Sequence, residues 1–106
     1  MIMTTTDFIK GKKITQSFGL VRGNTIRARH IGRDIMAGLK NIVGGAIFEY
    51  TKLMGEAREQ ALDRMTDEAQ MLGANAVIGV RFSTSVIMGG AAELLAYGTA
   101  VILEDE

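Results

Sequence analysis

The stretch EYTKLMGEAREQALDRMTDEAQML, from Glu49 to Leu72, decides the fold of this chain. Its apolar residues recur at steps of three and four, and charged residues fill most of the positions between them. The apolar members are Tyr50, Leu53, Met54, Ala57, Ala61, Leu62, Met65, Ala69 and Leu72. A period near 3.6 predicts one long amphipathic helix over residues 49–72, and Gly73 follows where helices commonly end through a left-handed residue.

Gly55 lies in the middle of this predicted helix. A glycine inside a helix costs about 1 kcal/mol relative to alanine. We therefore expect another part of the chain to pack closely against the helix at Gly55.

The residues after the helix predict a β-hairpin. Even-numbered residues from Ala76 to Met88 face one way in the predicted first strand, and Gly79, Arg81, Ser83 and Ser85 face the other way. Gly89-Gly90 predicts the turn, and residues 94–103 predict the returning strand. Residues 86–103 carry a single charge over a length near that of a membrane-spanning helix, but the alternation and the glycines favour strands.

The residues before the helix predict a second hairpin and a short helix. Ile14, Phe18 and Leu20 share one side of a predicted strand over residues 14–23, and Gly23-Asn24 predicts a turn. Residues 25–30 alternate again as an edge-like basic strand, and residues 32–42 predict a short helix. Together the elements predict an α+β fold, in which an antiparallel sheet lies under one long helix and its other face is small and polar.

Composition bounds the class of protein. The chain has 106 residues, 47% of them apolar and 23% charged, which is typical of a single globular domain spanning residues 1–106. It has no cysteine, which suits a reducing cytoplasm, and its first residues do not resemble a signal peptide. A helix of about 36 Å overhangs a short sheet, so the uncovered apolar surface predicts self-association.

The net charge of zero divides into two opposite halves. Residues 1–45 carry eight Lys/Arg against two acids, a net charge of +6, and residues 46–106 carry four against ten, a net charge of −6. The alternatives are that the halves neutralise each other, within or between subunits, or that the basic half binds nucleic acid. Arginines 22, 27, 29 and 33 would carry the second function, but no aromatic residues are interleaved with them, which favours the first.

Polar residues between positions 32 and 59 are predicted to fasten a helix corner or a subunit interface. The candidates are Arg33, Asp34, Gly44, Gly45, Glu49, Tyr50 and Arg58. The helix dipole favours Asp34 in a first turn, and Gly44-Gly45 suits a tight corner because it lacks the Lys-Ser/Thr of a P-loop. The alternative for Arg33 is to bind an anionic ligand or a carboxylate of the next subunit.

The candidate metal ligands are His30, Asp34 and Glu49. Soft heavy metals prefer thiolates or clustered imidazoles, and this chain has one histidine and no cysteine. A symmetric ring could still bring several copies of one carboxylate together. The residues therefore predict no cofactor, with a divalent metal as the alternative, and they contain no Ser–His–acid or Cys–His pattern, so we predict a protein that is not an enzyme.

The motifs RD, AG, NIVGG, EYT, EAR, LGANAV and YGTAV, in this order between Ile14 and Val101, closely resemble the YbjQ family of small bacterial and archaeal proteins. The resemblance implies a two-layer β-α-β-β subunit, similar to dodecin-type subunits, that forms a ring, usually a homopentamer. It also implies the family's label of heavy-metal binding. Many relatives have a glutamate after the double glycine, where this chain has Ala46.

Overall fold

The computed structural model describes residues 1–28, 45–87 and 91–106. These residues form β1 (Ile2–Met3), β2 (Lys12–Ala28), α1 (Gly45–Met71), β3 (Ala76–Ile87) and β4 (Ala91–Asp105). The strands make one sheet in the order β1-β3-β4-β2, and α1 packs on one face of it, mainly over β2 and β4. The predicted α+β class is confirmed, and the described elements follow the order β-β-α-β-β. The predicted antiparallel sheet is wrong at one edge, where β1 pairs in parallel with β3.

The long helix matches its prediction except at its start. It begins at Gly45, four residues earlier than predicted, and ends at Met71. Ala57, Ala61, Met65 and Ala69 are fully buried, as the period of the apolar residues requires. Gly73 ends the helix with a φ of +92°, so the predicted left-handed terminus is confirmed.

The predicted turn at Gly23-Asn24 is wrong, because β2 runs through it as one strand paired with β4 from Lys12 to Ala28. Gly23 is instead the place where α1 touches the sheet. A Cβ atom at Gly23 would lie 2.3 Å from the Ala61 carbonyl oxygen and 2.4 Å from the Met65 backbone nitrogen. The glycine therefore lets helix and strand backbones approach, and the predicted N-terminal hairpin does not form.

The helix glycine has no such role in the described part of the chain. A Cβ atom at Gly55 would have only Arg58 Nη2 near it, at 3.9 Å. The expected close packing at Gly55 is therefore wrong for these residues. The close approach that the fold needs is provided by the strand, at Gly23.

Three register shifts, two in β2 and one in β3, change which residues face α1. The register of β2 shifts between Ser17 and Gly19, where Gly19 has a φ of +87°. Phe18 therefore packs against the core while Leu20 is 62% exposed, although the sequence predicted one side for both. A β-bulge adds one unpaired residue, and every side chain beyond it changes face.

The same change occurs in β3. Its register shifts between Ile78 and Arg81, and Gly79 has a φ of +63°. Val77 and Val80 therefore both pack under α1, whereas Ile78 packs on the opposite face. The predicted alternation of even-numbered residues is wrong before Gly79 and right after it.

The face of the sheet away from α1 is also apolar at one end. Ala76, Ile78, Val101 and Leu103 form a second buried cluster there, and Ile9 packs against it. Ile9 belongs to residues 4–11, which we call the strap, because they connect β1 at one edge of the sheet to β2 at the other. The predicted small, polar second face is therefore wrong at this end.

The other sequence predictions divide between the described residues and the rest. The short helix predicted over residues 32–42 and the Gly89-Gly90 turn lie outside the described residues. The final hairpin is confirmed by the antiparallel pairing of Ile87 with Ala91. Within the described ranges, no helix is long and apolar enough to cross a membrane.

Candidate functional site

The structure does not bring the sequence-predicted site residues together within its described part. Four candidates lie outside that part: His30, Arg33, Asp34 and Gly44. Gly45 begins α1, Glu49 and Tyr50 follow in the next turns, and for these three the structure defines only the backbone. Arg58 lies exposed on α1, about 20 Å from Gly45 along the helix. The predicted roles at the helix corner and in metal binding thus remain predictions.

A different set of polar residues meets on the sheet surface away from α1, which we call the open face. Strand pairing places Arg22 of β2 and Arg81 of β3 on either side of Tyr97 of β4. All three point away from α1, because their neighbours Val21 and Val80 are buried beneath it. Adjacent strands lie about 4.8 Å apart, so the backbones of the two arginines are separated by about 10 Å.

Arg81 is held in place by the strap. Its Nη1 donates to the carbonyl oxygens of Thr5 and Val80, each at 2.8 Å. These two bonds use one nitrogen of the guanidinium and leave Nε and Nη2 for other acceptors. We call Arg22, Tyr97 and Arg81 the row. It lies against the edge of the strap, and the strap fixes the position of Arg81.

Arg22 and Tyr97 have unused hydrogen-bonding groups. Among the described residues, neither the Arg22 guanidinium nor the Tyr97 hydroxyl forms a hydrogen bond. The next acid along β4 is Glu93, four residues or about 14 Å away, and it accepts a bond from Asn24 Nδ2 at 3.3 Å. Two cations and a phenol without a paired carboxylate make this row suitable for binding an oxyanion.

Sequence reasoning missed this row. It gave Tyr97 no role in a site, it placed Arg22 in the basic half of the chain, and it put Arg81 on a small polar face. Nothing in the sequence shows which residue of β2 lies opposite which residue of β4, because the two strands are separated by α1 and β3. Only the register assembles the three residues.

The sheet also has two unlike free edges within the described residues. Of the described strands, only β4 pairs with β2, so the outer edge of β2 has no neighbour among them. β3 pairs with β1 at Ala76 and Val77, and the N–H groups of Gly79 and Val80 donate to the strap. From Arg81 to Ile87 no strand in residues 1–28, 45–87 or 91–106 lies beside its outer edge. Unpaired edges of this length readily pair with another chain.

One flank of α1 lies above the β2 edge. Arg64 Nη1 donates to the Asn24 carbonyl at 2.5 Å on this side, while Thr66 on the opposite flank reaches Met3 beside β3. Leu53 and Met71 lie eleven residues before and seven after Arg64, so they share its side of the helix. They are 37% and 89% exposed, which leaves apolar surface beside the edge of β2.

One ion pair in the described part of the chain changes the pKa of a carboxyl group. Lys12 Nζ lies 2.5 Å from Asp105 Oδ1 at the far end of the β2–β4 pair. The hydrogen bond and the charge of Lys12 lower the pKa of the exposed Asp105 carboxyl. This pair therefore stabilises the folded subunit at pH values above the ordinary pKa of an aspartate. The stabilisation is lost as the pH falls through the lowered pKa of Asp105.

The described residues do not fit a heavy-metal site. They contain no group of three or more His, Cys, Asp or Glu side chains placed to hold an ion. The whole chain has no cysteine to supply a thiolate. The row on the open face is positively charged, so it would repel a metal cation.

Within the described residues, these features define an α+β subunit that has one helix on a mixed sheet, two unlike free edges and a cationic row on its open face. The chain belongs to the YbjQ family, whose model, described as "Putative heavy-metal-binding", matches residues 1–104.

Relatives carry the name UPF0145 protein. One from Dehalococcoides mccartyi is 61% identical over 104 residues, covering 98% of this chain and 100% of the relative. Another from Methanosarcina acetivorans is 57% identical, covering 95% of both chains. These names specify no reaction.

A crystal structure of a DUF74-family protein of unknown function from Pediococcus pentosaceus matches the fold. Its TM-score is 0.66, and the match covers 98% of both chains. The sequence identity is 17%, so the match shows the fold alone.

Proposed function

We propose that this protein is a non-enzymatic subunit that assembles head to tail into a closed ring and serves as a binding or scaffold protein. The observation that carries the proposal is the pair of unlike free edges. Contacts between two different surfaces of one subunit generate rings when the rotation closes. The homopentamer and the likeness to dodecin-type subunits come from the family resemblance and belong to this proposal.

Apolar side chains on the two edges are complementary. Phe82 and Val86, on the α1 side of β3, are 44% and 86% exposed, because α1 lies mainly over β2 and β4. If β3 of one copy pairs with β2 of the next, these side chains enter the space beneath the helix flank that carries Leu53 and Met71. We call this contact the seam; it satisfies backbone groups and buries apolar surface together.

The assembly itself is the first test. Native mass spectrometry of the full chain at micromolar concentration is expected to show one closed species, with five 11.4 kDa subunits giving about 57 kDa. Met71→Lys and Val86→Lys alter opposite sides of the seam, and each is expected to give folded monomers. Both residues are more than four-fifths exposed in the isolated subunit, so neither change affects its core.

A mixture of the two variants separates head-to-tail contacts from symmetric ones. The Met71→Lys subunit keeps a native β3 edge, and the Val86→Lys subunit keeps a native helix flank. One seam can therefore form, and heterodimers are expected without rings. Phe8→Lys, a matched change at a 69% exposed strap residue, should leave the ring intact. A wild-type monomer at micromolar concentration would contradict the proposal.

Binding of a heavy metal or divalent cation is the second candidate function, favoured by the family's description. Because the described donors do not fit such a site, we expect zinc and cadmium to shift the melting temperature by less than about 2 °C. A site filled at 100 times its Kd would raise it by about 10 °C or more. A rise of that size, reversed by EDTA, would show metal binding and assign it to residues beyond the described ones or to ring-repeated carboxylates.

A further inference from the structure

We infer that the row Arg22–Tyr97–Arg81 on the open face binds an oxyanion of the phosphate class, either free phosphate or a phosphomonoester. This function goes beyond ring assembly and uses a different surface. It follows from where the sheet register places three side chains and from the donors that those side chains leave unused.

The charges of the row are not neutralised by a nearby acid. The one ion pair among the described residues is Lys12–Asp105, and no carboxylate lies within 4 Å of either arginine of the row. Two guanidinium groups on one side of a sheet repel each other unless an anion lies between them. Guanidinium groups also form paired hydrogen bonds with phosphate oxygens, which suits this anion better than a spherical one.

The fixed position of Arg81 lowers the cost of binding. Its bonds to Thr5 and Val80 hold the guanidinium at one end of the row before any ligand arrives. A preorganised donor loses less freedom when it binds than a free side chain does. Arg22 supplies the second, unpaired guanidinium, and the Tyr97 hydroxyl can donate from between them.

The two sides of the row differ: the β2 side carries apolar surface, and the strap side carries a carboxylate. On β2, the next open-face residues on either side of Arg22 are Leu20, which is 62% exposed, and Asn24. An organic group attached to the phosphate could lie against Leu20. On the other side the strap carries Asp7, whose Oδ1 lies 3.6 Å from the position of a Cβ atom on Gly79. That carboxylate is the nearest negative charge on the strap and weakens the attraction for an anion.

The test is isothermal titration of the full-length protein at low salt with inorganic phosphate and, separately, with adenosine 5′-monophosphate. Saturable binding that weakens as salt is added is expected for at least one of them. Arg22→Gln is expected to weaken it about tenfold or more, because it removes a charge-assisted hydrogen bond. Asp7→Asn is expected to strengthen it about twofold or more, since the opposing charge is gone.

Lys10→Gln is the matched control, because it removes one positive charge from an exposed position just before β2, whose first residue lies about 33 Å from Arg22 along the strand. It should change the affinity less than about twofold. Circular dichroism and native mass spectrometry should show that every variant keeps the fold and assembly of the wild type. Phosphate binding alone would indicate a free-phosphate site, and tighter binding of the nucleotide would indicate a phosphomonoester.

Three results would overturn the inference. One is the absence of saturable binding to either probe. Another is an equal loss of affinity in the Arg22 and Lys10 variants, which would show a general charge effect. The third is binding of a single-stranded oligonucleotide with no binding of either small probe, which would identify the row as part of a nucleic-acid surface.

Discussion

Replacing Gly23 by alanine is expected to destabilise the folded subunit by about 3 kcal/mol or more. The added methyl group would lie 2.3 Å from the Ala61 carbonyl oxygen and 2.4 Å from the Met65 nitrogen, distances that real Cβ atoms do not tolerate. Both contacts are to backbone atoms, which cannot rotate away as a side chain can. The helix must therefore move off β2, and its buried apolar residues lose contacts as it moves.

Urea denaturation at a fixed protein concentration measures this effect, because association contributes to the apparent stability. Gly55→Ala, in the helix that packs against Gly23, is the matched control. Its new methyl group would meet only Arg58 Nη2, at 3.9 Å, among the described residues. Since alanine favours a helix, this change should stabilise the subunit by up to about 1 kcal/mol. Equal effects of the two substitutions would show that helix and strand are not in contact at Gly23.

Replacing Met65 by alanine is the second change with a large expected effect, a loss of about 2–5 kcal/mol. Among the described residues Met65 is the largest fully buried side chain, and it lies in the core between α1 and the sheet. Its neighbours on the buried side of the helix are the alanines Ala61 and Ala69, which are too short to fill the space. Truncation would thus leave a cavity in addition to the lost apolar burial.

The shift in urea midpoint should be compared with that of Met65→Leu, which keeps most of the volume. We expect that variant to lose less than about 1.5 kcal/mol. If both variants lost the same amount, the shape of methionine itself would matter, not the filled volume. If alanine lost almost nothing, the core would not be centred on Met65.

The candidate sites were less predictable than the fold, for a reason visible in particular residues. Arg22 and Arg81 were each noted in the sequence, one among basic residues and the other on a polar face. They become a site only because Tyr97 lies between them, and that depends on the pairing of strands far apart in the chain. The free edges are likewise a property of strand order, which the local pattern of a strand does not contain.

The sequence by itself determined the period of α1, its left-handed end at Gly73, the final hairpin and the family. These depend on neighbours three or four residues away, or on residues joined by a short turn, so local chemistry is sufficient.

Tertiary structure alone decided that Gly23 is a contact and not a turn, and that side chains change face at Gly19 and Gly79. A glycine permits a turn, a bulge or a close approach equally well. The choice among them is made by whichever helix or strand packs against it, because a buried backbone must be both hydrogen-bonded and closely packed.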